Sequence, residues 1–178
     1  FSLARKSRYG GLLTEQIAEA DCALLAAENA ALALRRSDFQ SSEVTRFSFF
    51  AGEEQASPGQ FLGYAVFKLD RFANRTLGHV YEAVVAPARS RSQNNFTHCA
   101  RTYAVQNVLG TFSVTGVLYA QQNDSTSVCA HVALRSMLAC LLPAGDVTYA
   151  EINQYAGINH ADPARRVGDG AGLDVPQV

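Results

Sequence analysis

The rhythm of hydrophobic and polar positions changes twice along the chain. From Thr14 to about Arg36, Ile17, Ala20, Leu24, Ala27 and Ala31 recur at alternating three- and four-residue steps. That stripe predicts a long amphipathic helix, with Thr14 as its cap and Arg35 and Arg36 at the negative end of its dipole. "SDFQSSE" breaks the pattern, and β-branched and aromatic residues take over. Strands are expected at "VTRFSFFA" (Val44–Ala51), "FLGYAVFKL" (Phe61–Leu69) and "HVYEAVVA" (His79–Ala86), with Pro58-Gly59 turning the chain between the first two. Two more, "CARTYAVQNVL" and "TFSVTGVLYA", flank Gly110. Helical spacing returns from Ser127 to Leu142, where Pro143 stops it. A last helix is written into "VTYAEINQYAGI": Thr148 and Glu151 form a capping box, and Gly157 suits the position after the C-terminus. The expected order is helix, five strands, two helices, an α+β chain with a boundary in the polar connection near Pro87–Asn95.

Composition narrows the classes. With 178 residues and 48% hydrophobic content the chain can bury a core as one domain or two small ones. A net charge of −1 gives no pull toward nucleic acid or an anionic membrane, and "PARSRS" reads as a solvated connection. The most apolar stretch, Ile17 to Leu34, is interrupted by Glu19, Asp21, Glu28 and Asn29, so no membrane span is expected. The chain opens on Phe1 and ends on the loop-like "GAGLDVPQV", which suggests a piece of a longer protein. None of Cys22, Cys99, Cys129 and Cys140 forms a CxxC pair, which argues against zinc. All four are read as reduced thiols, which favours the cytoplasm. The sequons at Asn74, Asn95 and Asn123 point the other way, toward secretion. "GDGAGL" lacks the Lys-Ser/Thr of a phosphate loop, and Asp146, Glu151, Asp162 and Asp169 do not fall at calcium-loop spacing. No cofactor or metal is expected.

The candidate chemistry lies in "YAQQNDSTSVCAHVALRSMLACLLP", Tyr119 to Pro143. Two glutamines precede a hydroxyl-rich turn in which Ser125, Thr126 or Ser127 can cap a helix, and Cys129 falls in that helix's first turn. Unpaired amide groups at a helix N-terminus favour a thiolate and can donate to an oxyanion, and a glutamine amide held nearby can complete the hole. The set fits acyl transfer, set against the plainer reading of Cys129 as a small core residue. His131 is two residues on, about 200° around the helix, so it is read as a packed or hydrogen-bonded histidine and not as the base for Cys129. His79 and His98 have no sequence partner.

"GVLYAQQNDSTSVCAHVALRSMLACLL" resembles the start of the catalytic domain of papain-like cysteine peptidases, closest to the bacterial branch related to double-glycine (bacteriocin-processing) peptidases. "YAEINQYAGI" and "GAGLDVPQV" are similar to that branch's short helix and the loop after it, so the likeness runs from Gly116 to Val178. The resemblance implies a papain-like helical lobe beginning in 96–178, preceded by an N-terminal helix and β-rich extension in 1–95. It implies Cys129 as nucleophile, Gln122 as the oxyanion glutamine with Gln121 as the alternative, and a catalytic His with an Asn or Asp beyond Val178. His160, in "GINHADP", lies too soon after Cys129 for the family base. Gln122 stands seven residues before Cys129, whereas the family's usual position, six before, holds Asn123 here. The chain also has no tryptophan, so papain's own Cys-Gly-Ser-Cys-Trp context is absent. The implied activity is cysteine-peptidase hydrolysis of a peptide or protein substrate. The alternative is a non-catalytic peptide- or protein-binding module.

Overall fold

The computed structural model describes residues 9–18, 26, 28–30, 32, 33, 36–51, 60–87, 99–122, 129–142 and 147–158. Four strands form an antiparallel meander in the order β1 (Tyr9–Ile17), β2 (Phe39–Ala51), β3 (Phe61–Phe72), β4 (Arg75–Val85). A separate hairpin pairs β5 (Arg101–Asn107) with β6 (Gly110–Gly116). Among the described residues, α-helix is confined to positions within 26–33, to α1 (Cys129–Leu141) and to α2 (Tyr149–Tyr155).

The expected fold class, α+β with a papain-like helical lobe, is therefore overturned. Six antiparallel strands in two sheets dominate, and the described helices are short. Of the helix expected from Thr14 to Arg36, the described helical residues lie only within 26–33. Residues 9–17 instead form β1, with Thr14 opposite Phe47 and Ile17 opposite Val44 on β2. From Gly11 to Ile17 burial alternates residue by residue, with Leu13, Glu15 and Ile17 half-buried and Leu12, Thr14 and Gln16 exposed. This period of two was hidden because Ile17 also starts the three- and four-residue stripe that follows.

β3 is the spine of the meander, with most of its residues buried from Phe61 to Phe72. It runs back as β4 through the two-residue turn Ala73-Asn74. At Gly63 the two strands approach so closely that a Cβ would fall 2.2 Å from the Val84 carbonyl oxygen, and its φ of +138° suits only glycine. The hairpin buries one face, through Val105, Phe112 and Val114. Phe112 packs on Phe50 and Phe61 of the meander, with ring centroids 5.4 and 5.2 Å away, while Phe50 and Phe61 are 5.4 Å apart. Val44, Tyr64, Val66, Val84, Leu118 and Ala139 complete the cluster, so one core draws on residues from both sides of the connection near Pro87–Asn95. Truncating an aromatic at such a site costs about 3–5 kcal/mol.

After β6 the chain returns to the meander. Tyr119 bridges Ala83 at the edge of β4, with N–H···O distances of 2.7 and 2.9 Å in the two directions. Two residues on, the Gln121 amide N–H donates to the Val80 carbonyl at 2.9 Å. The rung ends there, which leaves Gln122 at the sheet margin as the chain departs toward α1.

Candidate functional site

Cys129 is the first residue of α1 and is exposed. Its thiol donates to the Gln122 side-chain oxygen, although the two residues are seven apart in sequence. Gln122 is also exposed. The neighbouring glutamine is committed elsewhere: the Gln121 side-chain oxygen accepts from the Val80 amide N–H at 3.0 Å, and its own backbone N–H donates to the Val80 carbonyl. The structure thus brings Gln122 to the thiol and ties Gln121 to the sheet. A half-turn of the Gln122 amide about its terminal bond exchanges carbonyl oxygen for NH₂, an acceptor for a donor. The capping candidates Ser125, Thr126 and Ser127, together with Asn123, lie outside the described residues, as do His98, His160 and Cys22.

What holds Cys129 in place is the buried side of α1, which is polar. His131, Arg135 and Ala139 face inward at four-residue steps, while Met137, Leu141 and Leu142 are exposed. The expected apolar inward face is corrected accordingly. Arg135 is 1% exposed, and its guanidinium donates to Glu82 on β4 at 2.6 Å. The same group lies over the rings of Tyr81 and Tyr149, at 5.2 and 5.7 Å from their centroids. A buried charge is tolerable only when paired and hydrogen-bonded, and Arg135 meets that condition through β4 and α2 together.

His131 is equally buried. Its Nε2 lies 2.5 Å from the Asn153 side-chain oxygen, and its ring meets Tyr149 edge-on. It thereby joins α1 to α2, and no described hydrogen bond links it to Cys129. α2 carries the expected capping box: the Glu151 N–H donates to Thr148 Oγ1 at 3.2 Å, and the Thr148 N–H donates to Glu151 Oε2 at 2.8 Å. The Thr148 backbone N–H, together with the Thr148 hydroxyl that donates to the same Oε2 at 2.8 Å, holds the Glu151 carboxyl below its ordinary range. Gly157, with φ +67°, follows the C-terminal cap Ala156.

A second polar layer lies beneath, on the inner face of the meander. Lys68 and Asp70 of β3 are fully buried and paired at 3.2 Å. The Ser42 hydroxyl donates to the same Asp70 oxygen at 2.5 Å and lies 2.9 Å from the Asn29 side-chain oxygen. Lys68 stands opposite His79, which is also buried. The Tyr81 hydroxyl donates to Glu28 at 3.0 Å. Burial raises the Glu28 carboxyl above its ordinary range, and Lys68, Tyr81 and Arg135 offset this only in part. Their packing together was not among the sequence expectations. The available signal was "YAVFKLD": Tyr64, Val66, Lys68 and Asp70 alternate, so two charges share the face of two core side chains.

Among the described residues no helix is long and apolar enough to cross a membrane. The chain matches no protein-family model, no curated protein and no solved structure.

Proposed function

We propose that this chain belongs to a thiol-dependent hydrolase that cleaves a peptide or related amide bond through an acyl-enzyme on Cys129. One observation carries the reading: an exposed cysteine at the first residue of a helix, in side-chain contact with a glutamine delivered by the neighbouring sheet edge. In the first half-reaction Cys129 Sγ attacks the carbonyl carbon. The thiol proton passes through a base to the leaving amine, and the C–N bond breaks to leave a thioester. Water then attacks the thioester, freeing a carboxylate and restoring the thiol. The Gln122 NH₂, turned toward the substrate, and the α1 amide groups stabilise the oxyanion in both steps. The base belongs to a group outside the described residues, since His131 is engaged with Asn153.

That same engagement favours a second reading, a non-catalytic module that binds a peptide or protein at this margin. Turnover separates the two. Purified protein is incubated with a pool of internally quenched peptides, alongside its Cys129→Ser and Cys129→Ala variants. Hydrolysis by the parent that both variants lose, with unchanged thermal melts, supports the hydrolase. Peptide binding without cleavage, equal in all three proteins, would rule it out in favour of the module.

A further inference from the structure

Two further thiols flank the end of α1 remote from Cys129. Cys99 lies two residues before the start of β5, is exposed, and has a φ of 66°, a left-handed conformation uncommon outside glycine. Cys140 is half-buried in the last turn of α1. The Arg101 guanidinium donates to the Cys140 carbonyl at 3.3 Å, which draws the start of β5 against the helix end. Cys99 lies two residues before Arg101, so the same contact brings its thiol beside that of Cys140. Burial first, and then the hydrogen bond and charge interaction with Cys99, raise the Cys140 thiol above its ordinary range, with Arg101 opposing. Along the helix Cys140 lies roughly 16 Å from Cys129, far outside the contact between Cys129 and Gln122.

We propose that Cys99 and Cys140 form a redox modification site, a reversible disulfide that staples the last turn of α1 to the entrance of β5. The oxidant is a low-molecular-weight disulfide such as oxidised glutathione. Cys99, the more accessible partner, attacks one sulfur of the oxidant as thiolate. The oxidant's S–S bond breaks, one glutathione leaves, and a mixed disulfide forms on Cys99. Cys140 then gives up its proton and attacks Cys99 Sγ, expelling the second glutathione. Two protein thiols are oxidised and one glutathione disulfide is reduced. The staple closes a loop of about 40 residues and shifts the unfolding equilibrium by on the order of 10²–10³-fold toward the native state. It ties down the helix that presents Cys129 and does not depend on what Cys129 does.

The full chain is equilibrated in reduced and oxidised glutathione at graded ratios, acid-quenched, alkylated and mapped by mass spectrometry under non-reducing conditions. The expected product is a single intramolecular Cys99–Cys140 link, two hydrogens lighter, with Cys129 still open to alkylation and the thermal midpoint raised. Cys99→Ser leaves no link and at most a glutathione adduct. Cys140→Ala stalls at the mixed disulfide on Cys99. Because Cys99 is exposed, its variant reports even if the Cys140 variant is unstable. Persistent glutathione on Cys99 without closure in the parent protein would overturn the proposal, as would a link from either residue to Cys22 or Cys129.

Discussion

The Cys129 thiol donates to the side-chain oxygen of Gln122, and both residues are exposed at the margin where the sheet edge gives way to α1. The pairing is a product of topology. The rung at Tyr119 and Gln121 ends on β4, and Arg135 ties α1 to the same strand through Glu82. The strand that delivers the glutamine also anchors the helix that begins with the cysteine.

The two glutamines should separate cleanly in kinetics. Gln122→Ala is expected to lower kcat by about 10²–10³, the usual cost of one oxyanion donor, with little change in KM. Gln121→Ala should leave chemistry nearly intact and lower the melting temperature, because it removes the side-chain acceptor of the Val80 N–H. Equal kinetic losses in the two variants would contradict the assignment of Gln122 alone.

Arg135 should prove the strongest polar anchor of α1. Arg135→Met keeps apolar bulk but leaves the half-buried Glu82 carboxylate without its guanidinium, so a loss of about 3 kcal/mol is expected in urea unfolding. A loss below about 1 kcal/mol would mean that the pair is worth no more than a surface one.

Glu28 sets a pH dependence whose sign is fixed by its raised pKa. Its carboxyl titrates higher in the folded protein than the ordinary 4.5, chiefly because burial disfavours the charge. The folded state therefore holds the proton more tightly. The stabilisation is complete below about pH 4.5 and is lost as pH rises through the folded value. The groups facing this carboxyl are Lys68, Tyr81, Arg135 and Asp70. Glu28→Gln keeps an acceptor for the Tyr81 hydroxyl and removes the titration. The difference between parent and variant stability should then fall steadily above pH 4.5, leaving the variant the more stable at neutral pH. Parallel stability curves would show that Glu28 titrates normally in the folded protein.

Local chemistry was legible in the sequence wherever it was self-contained. Thr148 and Glu151 satisfy each other within one turn, and Gly110 and Gly157 occupy positions with φ of +136° and +67°. The cores of the strands that became β2 to β6 were marked by β-branched and aromatic content. Failures came where tertiary contacts decide. Ile17 fits two periodicities, and only pairing with Val44 on β2 selects the strand. Arg135 and Lys68 look like surface cations, yet Glu82 and Asp70 lie far enough away in sequence or on a face subtle enough that their burial was not foreseen. For the site, spacing alone could not choose between Gln121 and Gln122. The register of the rung on β4 aims the first at Val80 and the second at Cys129.

Acylation of Cys129 is the most direct measurement. The protein is incubated with a peptidyl thioester, quenched in acid during turnover, digested and mapped by mass spectrometry. The account predicts a peptidyl adduct on the peptide that contains Cys129, accumulating more slowly in Gln122→Ala and absent in Cys129→Ser. An adduct confined to Cys99, or no adduct while the thioester is being hydrolysed, would contradict it.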